Sequence, residues 1–345
     1  MFLCNSKSVN LSTPIQIGPV TIRNRVFLAP MSGVTDLPFR ERAYAAGAGL
    51  VVSEMVASGE LAKGRGDTAR RIRKFSDAPH VVQLAGREAG AMAEAARIAE
   101  SEGADIIDIN MGCPAKKVTG GYCGSALMRD PDHAVSLIDA VFAAVKIPVT
   151  VKMRLGWDDD SRNAPTLAAR AEQSGVKMVT VHGRTRCQFY EGGADWHAIG
   201  AVKRNVSIPV VANGDIGSLD DARQALALSG ADAVMIGRAS YGAPWQAGLM
   251  AAQAAGSVPD DIAVFGGGLP AYVIAHYEDM LTFYGIEGGL RQARKHLGWY
   301  LDRCARDASA ELRQTIMRSF DPAQVIAALR RAFDPDAATP LAVAA

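Results

Sequence analysis

The sequence is poor in cysteine and contains no long apolar run. Its five cysteines are an odd number and no two form a C-x-x-C pair, which argues against a disulfide framework, a zinc site and an iron–sulfur cluster. No stretch approaches the roughly 18 consecutive apolar residues of a membrane-spanning helix. Residues 1–10 also lack the charged-then-apolar order of a signal peptide. We therefore expect a cytoplasmic protein that uses neither a metal nor a membrane partner.

The sequence also lacks an excess of charge of one sign. The formal net charge is only +1, so a polyanionic partner must be held by a local patch rather than by an overall field. No G-x-G-x-x-G follows a predicted strand, which argues against a permanently bound dinucleotide. The 345 residues, 49% of them hydrophobic and 21% charged, suit a globular protein with one large core and a smaller domain. We expect a monomer, although no sequence pattern determines the oligomeric state.

Short apolar runs alternate with amphipathic segments over the first two thirds of the chain. We predict eight strands: Val26–Pro30, Leu50–Glu54, His80–Leu84, Asp105–Asn110, Pro148–Arg154, Met178–Arg184, Pro209–Asn213 and Ala233–Gly237. The predicted helices between them include Glu88–Glu102, Asp130–Val145, Ala164–Ser174 and Ser218–Ser229. Strands that alternate with helices pair in parallel, and eight such units in about 240 residues are typical of an α/β TIM (β/α)8 barrel. A doubly wound sheet is the alternative.

The C-terminal part of the chain has helical periodicity only. One apolar stripe is stopped by Gly285, a second follows, and Asp321-Pro322 is typical of a helix start. We therefore predict a barrel domain over residues 1–256, a linker over 257–270 and a small all-helical domain over 271–340.

The stretch Asp105–Pro114 is the most informative part of the sequence. Pro114 cannot continue a strand ladder, so Cys113 is expected on the connection that leaves the carboxyl end of the strand. Alternation places Asp108 and Asn110 on the side that faces the barrel interior. A buried free cysteine is often inert packing, but catalytic groups of parallel barrels come from such strand ends. The neighbouring Asn110 favours a catalytic role for Cys113.

Other predicted strands also end in polar side chains. These are Gln83, Lys152 and Arg154, His182 with Arg184 and Arg186, Asn213-Gly214-Asp215, and Gly237-Arg238. Taken singly, each has a structural interpretation: a satisfied amide, a paired charge or a hydrogen-bonded core histidine. Because the carboxyl ends of the strands share one mouth of the barrel, the set as a whole indicates an active site.

The last two strand ends carry glycine turns that suit a phosphate. Backbone N–H groups at Gly214 and Gly237, with the Arg238 guanidinium, can hold a phosphate, although glycines are common at such turns. A ligand anchored there would extend across the mouth, and flavin mononucleotide (FMN) has that shape. Gln83 could then hydrogen-bond the pyrimidine edge of the ring, and Lys152 could offset negative charge on the reduced ring.

Five ordered motifs occupy these positions. They are APMSGVTDLPFR (29–40), DINMGCPAKKV (108–118), VKMRLGW (151–157), VHGRTR (181–186) and ANGD (212–215). Together they closely resemble the tRNA-dihydrouridine synthases, in particular the bacterial B-type branch, and RKHLGWY (294–300) extends the resemblance into the helical part. The family reduces a specific uracil in tRNA to 5,6-dihydrouracil with FMN that NADPH has first reduced.

The resemblance implies roles for individual residues. FMN contacts would come from Pro30, Met31, Ser32, Gln83, Lys152, His182, Asn213, Gly214, Asp215, Gly237 and Arg238. Asn110 and Arg154 would hold the uracil. The flavin would pass a hydride to uracil C6, and Cys113 would be the general acid that protonates C5 from the opposite face. NADPH is the expected reductant, with NADH as an alternative.

A tRNA partner requires basic residues that can reach phosphates. The candidates are Lys116, Lys117, Arg184, Arg186, Arg291, Arg294, Lys295 and Arg303. Arg291, Arg294 and Lys295 are three to four residues apart and so share one helix face, which could equally be a solvated face.

One segment departs from the family pattern. The segment TGGYCG (119–124) replaces a stretch that is more basic in relatives, and it adds Cys123. This thiol could be a second acid or a redox partner, but we favour no role for it.

Other functions are compatible with part of these residues. Another FMN barrel that reduces a free pyrimidine or an enone would share the flavin residues but need no helical domain. A phosphate-binding isomerase or lyase would need only Gly237-Arg238. A non-catalytic RNA-binding or regulatory protein would leave Cys113 and Lys152 unexplained.

Overall fold

A computed structural model describes residues 9–64, 66–257 and 268–333 of the chain. Its strands are β1 (Ile15–Ile17), β2 (Val20–Ile22), β3 (Val26–Leu28), β4 (Leu50–Val51), β5 (Val56–Ala57), β6 (Val81–Ala85), β7 (Ile106–Met111), β8 (Val149–Arg154), β9 (Met178–His182), β10 (Val210–Asn213) and β11 (Ala233–Ile236). Strands β3 to β11 are mostly continuous runs of buried residues, as expected of parallel strands covered on both faces.

Parallel pairing closes strands β3 to β11 into a barrel. Their order is β4-β3-β11-β10-β9-β8-β7-β6-β5, and a bridge between Val52 and Val81 joins the two ends. Strand β4 pairs with β3 and β5 pairs with β6, so β4 and β5 are two halves of one barrel strand. The predicted TIM barrel is thereby confirmed, and its predicted strand Leu50–Glu54 is the one that the structure interrupts.

The helices are α1 (Leu37–Ala45), α2 (Ser58–Leu61), α3 (Gly66–Arg71), α4 (Ala89–Ser101), α5 (Lys116–Thr119), α6 (Pro131–Ala144), α7 (Ala164–Gln173), α8 (Trp196–Asn205), α9 (Leu219–Ser229), α10 (Gln246–Ala254), α11 (Gly268–Tyr284), α12 (Ile286–Cys304), α13 (Ala310–Arg318) and α14 (Pro322–Phe333). Hydrogen bonds from capping side chains fix the residues at which several of these helices begin. The Asp130 carboxylate accepts from the His133 N–H before α6, and Ser218 forms a capping box with Asp221 before α9.

An antiparallel hairpin of β1 and β2 covers the end of the barrel where the strands begin. Ile15, Ile17 and Ile22 pack in one cluster with residues near the beginnings of several barrel strands, such as Ile106 and Met178. This end is therefore filled with apolar side chains, and the polar strand ends lie at the opposite mouth.

The described residues form two compact units. One contains residues 9–64, 66–239 and 246–257, and the other contains residues 240–245 and 268–333. In the second unit Tyr241 stacks on Trp299 with ring centroids 4.0 Å apart, which attaches 240–245 to α12. The sequence had assigned 240–245 to the barrel domain. Most of the predicted linker and the end of the predicted helical domain, residues 334–340, lie outside the described residues.

The helical unit buries the predicted apolar stripes. Its core includes Val273, Tyr277 and Met280 from α11 and Leu297 and Tyr300 from α12. The two helices are separated at Gly285, whose φ of 75° suits glycine. Helix α13 was not predicted, and the C-terminal all-helical domain of the predicted fold is confirmed.

Candidate active site

Polar side chains from four neighbouring strands meet at the carboxyl end of the barrel. The strand registers place Asn110 beside Lys152, Arg154 beside His182, and Asn213 beside His182. The structure therefore brings together polar side chains that lie at the ends of separate predicted strands.

A chain of hydrogen bonds runs from Asp108 to the turn that contains Gly112 and Cys113, which we call the Cys113 turn. The Gln83 Nε2 donates to Asp108 Oδ2 at 2.7 Å, and the Gln83 Oε1 accepts from Asn110 Nδ2 at 2.8 Å. The Asn110 Oδ1 accepts from the backbone N–H of Gly112 at 3.1 Å and of Cys113 at 2.9 Å. Each amide keeps one further N–H for a ligand, and that of Asn110 now faces the weak acceptor Met55 Sδ at 3.8 Å.

Asp108 begins this chain from a buried position. Its other oxygen, Oδ1, accepts from the Thr150 hydroxyl at 2.7 Å. Burial raises the pKa of the Asp108 carboxyl, although the hydrogen bonds from Gln83 and Thr150 and the charge of Lys152 oppose that effect. Strand alternation predicts the inward direction of Asp108, whereas its role as the start of this chain of hydrogen bonds is visible only in the structure.

Lys152 points its ammonium group across the mouth toward β10. Its Nζ donates to Asn213 Oδ1 at 2.9 Å, and Asn213 is itself oriented by donating from Nδ2 to the Met235 carbonyl at 2.8 Å. Burial, with a smaller effect of the nearby Arg154 charge, lowers the pKa of Lys152 to about 8. A negatively charged ligand would relieve this unfavourable charge.

Arg154 joins the Cys113 turn to the loop after β9. Its Nε donates to the Gly112 carbonyl at 2.9 Å, and its Nη1 donates to the carbonyls of Thr185 and Phe189 at 2.7 and 2.8 Å. Burial lowers the pKa of Arg154 to about 10, which leaves the guanidinium charged at neutral pH. The side chain is therefore a rigid, buried cation beside the predicted uracil site.

His182 is held neutral. Burial lowers its pKa well below 6.5, and the charges of Lys152, Arg154, Arg184 and Arg238 act in the same direction. A Cβ on Gly214, whose φ is 112°, would come within 2.8 Å of His182 Cδ2, so this turn requires glycine.

Asp215 links two arginines at the predicted phosphate turn. It pairs with Arg184 through both carboxylate oxygens and with Arg238 at 3.1 Å, and it accepts from the Ala194 N–H at 2.8 Å. Burial acts to raise the pKa of Asp215, but the hydrogen bonds and charges of these partners outweigh it and lower the pKa. Its side chain therefore supports Arg238, which is 49% exposed.

Arg184 has a structural role in the loop that follows β9. The side chain is buried and also donates to the carbonyls of Glu191 and Gly192. The predicted contact of Arg184 with tRNA phosphates is therefore not supported, because its donors are turned into the protein.

The end of β3 lies beside the end of β11. A Cβ on Gly237 would lie 3.7 Å from Met31 Sδ, which is ordinary contact, so packing does not demand glycine there. Pro30 and Met31 are half-buried and Ser32 is exposed. These residues and the Gly237 backbone thus border the same part of the mouth.

Cys113 is half-buried at the start of a loop that returns to it. Its carbonyl accepts from both the N–H and the hydroxyl of Ser125, at 3.1 and 2.9 Å. The second thiol, Cys123, donates to the Gly121 carbonyl at 3.3 Å, and burial raises its pKa.

Tyr190 belongs to this region, although no sequence motif predicts a role for it. The Arg154 and Arg238 guanidinium groups lie 5.5 and 4.9 Å from its ring centroid, and 52% of the side chain is exposed. It lies in the loop that follows β9, and only its aromatic type beside arginines could have drawn attention to it.

The other predicted basic contacts differ in accessibility. Lys116 and Lys117 are exposed on α5, whereas Arg186 is half-buried, with its guanidinium 4.6 Å from the Trp157 ring centroid. On α12, Arg291 is exposed and pairs with Glu287, Arg303 is exposed, Arg294 lies over the Phe320 ring, and Lys295 donates to Gln292.

Neither a candidate metal site nor a candidate membrane span occurs in the described part of the chain. No group of three or more His, Cys, Asp or Glu side chains there could hold a metal ion. None of the helices among residues 9–64, 66–257 and 268–333 has the length and apolarity needed to cross a membrane.

Comparisons with known proteins agree on one family. A sequence model described as dihydrouridine synthase (Dus) matches residues 27–337. A probable tRNA-dihydrouridine synthase of Rhizobium leguminosarum bv. phaseoli is 58% identical over 318 residues, 92% of this chain and 98% of that protein. The tRNA-dihydrouridine synthase B of Pseudomonas aeruginosa is 47% identical over 296 residues, 83% and 86% of the two chains.

Solved structures show the same fold at low sequence identity. A 2-naphthoyl-CoA reductase has a TM-score of 0.58 at 16% identity and covers 94% of this chain and 69% of its own. Morphinone reductase has a TM-score of 0.54 at 16% identity and covers 76% of this chain and 95% of its own. With the family match over most of its length, the chain belongs to the dihydrouridine synthase family.

Proposed function

We propose that this protein is a tRNA-dihydrouridine synthase that reduces the 5,6 double bond of a uracil base in tRNA. The observation that carries the proposal is the Cys113 turn. Asn110 fixes this turn through two backbone N–H groups, and Arg154 fixes it through the Gly112 carbonyl. A thiol and an amide at the end of β7, with a buried guanidinium at the end of β8, suit a planar base that needs polar contacts and a proton.

Family membership implies a flavin and a nicotinamide reductant, and we propose FMN and NADPH. The residues at the mouth fit an anionic cofactor. Lys152, Arg154, Arg184 and Arg238 outnumber the carboxylates of Asp108 and Asp215, and they depress the pKa of His182. The residues that would hold FMN are those predicted from the sequence, with Gln83 and Lys152 beside the ring and Gly214, Gly237 and Arg238 beside the phosphate. Asp215 would act through Arg238.

The residues at the mouth then have distinct tasks. When bound and reduced, FMN would supply the hydride that uracil C6 accepts. Asn110 donates its remaining N–H to a uracil carbonyl oxygen, and Arg154 supplies the charge that stabilises electron density developing on that part of the base. Cys113 gives the proton that C5 requires, and Lys152 balances negative charge at the mouth.

The tRNA must present its target base outside the stacked helix, since the mouth admits a base only if it is extruded. Exposed Lys116 and Lys117 lie on the loop that leaves Cys113, and Arg291 and Arg303 lie on α12. We propose that these residues contact phosphates, with Arg294 and Lys295 in support and Arg186 holding the loop after β9 through its aromatic neighbours.

The test measures dihydrouridine by nucleoside mass spectrometry. Otherwise modified tRNA that lacks dihydrouridine is incubated with the purified protein, FMN and NADPH. We expect the wild type to form dihydrouridine and Cys113→Ala to form it about 10²- to 10⁴-fold more slowly, the range for loss of a general acid. Bleaching of the flavin by NADPH is recorded in parallel for both proteins.

Two outcomes would contradict the proposal. If the wild type forms no dihydrouridine while NADPH bleaches the flavin, the tRNA assignment is wrong and free pyrimidines and enones become the substrates to test. If Cys113→Ala forms dihydrouridine at the wild-type rate, Cys113 is not the proton donor.

A further inference from the structure

Tyr122 is an exposed aromatic residue on the loop that begins at Cys113. Its side chain is 66% exposed, although an aromatic ring is usually at least half buried in a folded protein. Neither the proposed chemistry nor the packing of the barrel uses this ring.

The backbone at Tyr122 adds a second observation. Its φ is 55°, in the left-handed region that glycine occupies easily and aromatic residues rarely adopt. Glycines at positions 120, 121 and 124 surround it, so glycine is already common in this segment. An unfavourable backbone conformation combined with an exposed ring is typical of a residue kept for a contact rather than for stability.

The loop holds Tyr122 close to the active site. The Tyr122 N–H donates to the Thr119 carbonyl at 3.0 Å, and the Cys123 N–H donates to the Val118 carbonyl at 3.2 Å. Three residues after Tyr122, Ser125 bonds twice to the Cys113 carbonyl. Because successive Cα atoms are about 3.8 Å apart, the Tyr122 Cα lies within about 11 Å of the Ser125 Cα.

Two cations accompany the ring on this loop. Lys116 and Lys117 are exposed on α5, the single helical turn that leads to Tyr122. We call these three exposed side chains the Lys116–Tyr122 surface. The segment 115–124 contains no carboxylate, and one acidic and one basic side chain, Glu88 and Arg87, act on the neighbouring Cys123. An aromatic face beside positive charge is the combination that binds unstacked nucleotides.

We infer that the Lys116–Tyr122 surface binds the tRNA next to the target uridine. The Tyr122 ring stacks on a base that flanks this uridine, and Lys116 and Lys117 contact neighbouring phosphates. The inference rests on the proposed function, and it adds an aromatic contact on the segment TGGYCG (119–124), whose ring the proposed chemistry does not use.

The test compares Tyr122→Gly with Tyr122→Phe. Glycine removes the ring and suits the backbone, so Tyr122→Gly should unfold at a temperature no lower than the wild type. We expect its Kd for dihydrouridine-free tRNA, measured by fluorescence anisotropy, to rise at least about fivefold, as for loss of a stacked base. Tyr122→Phe keeps the aromatic face and should bind within about twofold of the wild type.

The lysines are tested through the salt dependence of binding. The double variant Lys116→Ala/Lys117→Ala should reduce the slope of log Kd against log salt by about two, one for each phosphate that the protein no longer neutralises. The matched control is Lys146→Ala/Lys177→Ala, which removes the same charge from exposed lysines just before β8 and β9, at the opposite end of the barrel. The control should leave the slope unchanged.

The outcomes separate this inference from the proposed function. If the wild type forms dihydrouridine but Tyr122→Gly binds tRNA like the wild type, the inference is wrong and the proposed function stands. An equal change of slope in the two lysine pairs would also overturn the inference. If the wild type forms no dihydrouridine, the proposed function fails and the inference fails with it.

Discussion

The Asp108 carboxylate accepts a hydrogen bond from the Gln83 amide at 2.7 Å, and this contact orients both amides of the mouth. An amide side chain has an oxygen and a nitrogen of similar size, so it can be turned by 180° unless a neighbour selects one orientation. Because a carboxylate only accepts, it selects the Gln83 nitrogen. Gln83 then presents its oxygen to Asn110, and Asn110 presents its oxygen to the N–H groups of Gly112 and Cys113.

Replacing Asp108 by leucine should misplace the Cys113 turn. Asp108→Leu leaves the Gln83 nitrogen without its acceptor, so the amides lose their fixed orientation. We expect kcat for dihydrouridine formation to fall roughly 10- to 100-fold, as for an active-site displacement of about 1 Å. The rate is measured at saturating tRNA on samples of equal flavin content, so that a smaller folded fraction is not counted as a slower reaction.

Two variants control for a purely structural effect of Asp108. Asp108→Asn keeps an oxygen that can accept from Gln83, and Thr150→Val removes only the second partner of the carboxylate. Both should retain kcat within about fivefold, although Thr150→Val leaves a buried oxygen less well satisfied. Equal losses in Thr150→Val and Asp108→Leu would show that Asp108 contributes stability and not orientation.

Lys152 should make the stability of the flavin-free protein depend on pH. Its pKa is about 8 in the folded protein and 10.5 ordinarily, so between these values the unfolded chain binds more protons and stability rises with pH. Below pH 8 the buried charge opposes folding fully. Lys152→Met should therefore raise the Tm at pH 7 by roughly 2–4 °C, and the difference should shrink between pH 8 and 10.5. Thermal unfolding from about pH 7 to 10 tests this, with Lys177→Met as control; a gain that is constant with pH contradicts it.

Arg184 should matter for stability more than for tRNA binding. Arg184→Met leaves the Asp215 carboxylate without its bidentate partner and the Glu191 and Gly192 carbonyls without a donor. Denaturant unfolding should show a loss of about 3 kcal/mol, at the lower end for breaking a buried pair. Arg162→Met, which breaks exposed pairs, should lose less than about 1 kcal/mol. An unchanged unfolding midpoint with weakened tRNA binding would restore Arg184 as a phosphate contact.

Gly214 should tolerate no side chain. Gly214→Ala places a Cβ 2.8 Å from both Ala194 Cβ and His182 Cδ2, at a φ of 112°. Gly192→Ala also has a positive φ, 62°, but meets nothing within 4 Å. We expect roughly 1–2 kcal/mol of destabilisation from the left-handed backbone in Gly192→Ala. Gly214→Ala should lose more and should weaken FMN binding, measured by flavin fluorescence, at least about tenfold; similar effects of the two changes would argue against a close-packed turn.

The barrel was predictable because its periodicity is local. All eight predicted strands overlap observed ones, and α4, α6, α7 and α9 match their predicted helices within a residue or so at each end. The hairpin of β1 and β2 was missed because three-residue strands leave too short a pattern to detect. Helix α13 was missed because only Ile316 on it is fully buried, so it carries almost no apolar stripe.

The site was predictable as a set of strand ends but not as a network. Position alone placed Asn110, Lys152 and His182 at one mouth. Which atoms of Gln83 and Asn110 are used, and that Arg184 turns inward to Asp215, depend on side-chain directions that no spacing encodes. The approach of Tyr190 to Arg154 and Arg238 depends on loop geometry for the same reason. The predicted cytoplasmic location and monomeric state stay predictions.

The hairpin of β1 and β2 covers one end of a barrel whose interior is already filled by side chains of its strands. Because Ile15, Ile17 and Ile22 pack at that end, we expect both the proposed NADPH and the tRNA to approach the flavin from the opposite mouth. Two substrates that use the same mouth cannot occupy it together, so each should inhibit the binding of the other at high concentration. Reduction of the flavin and reduction of the base are then expected to be separate half-reactions. Their kinetic signature would be parallel double-reciprocal plots and substrate inhibition by tRNA.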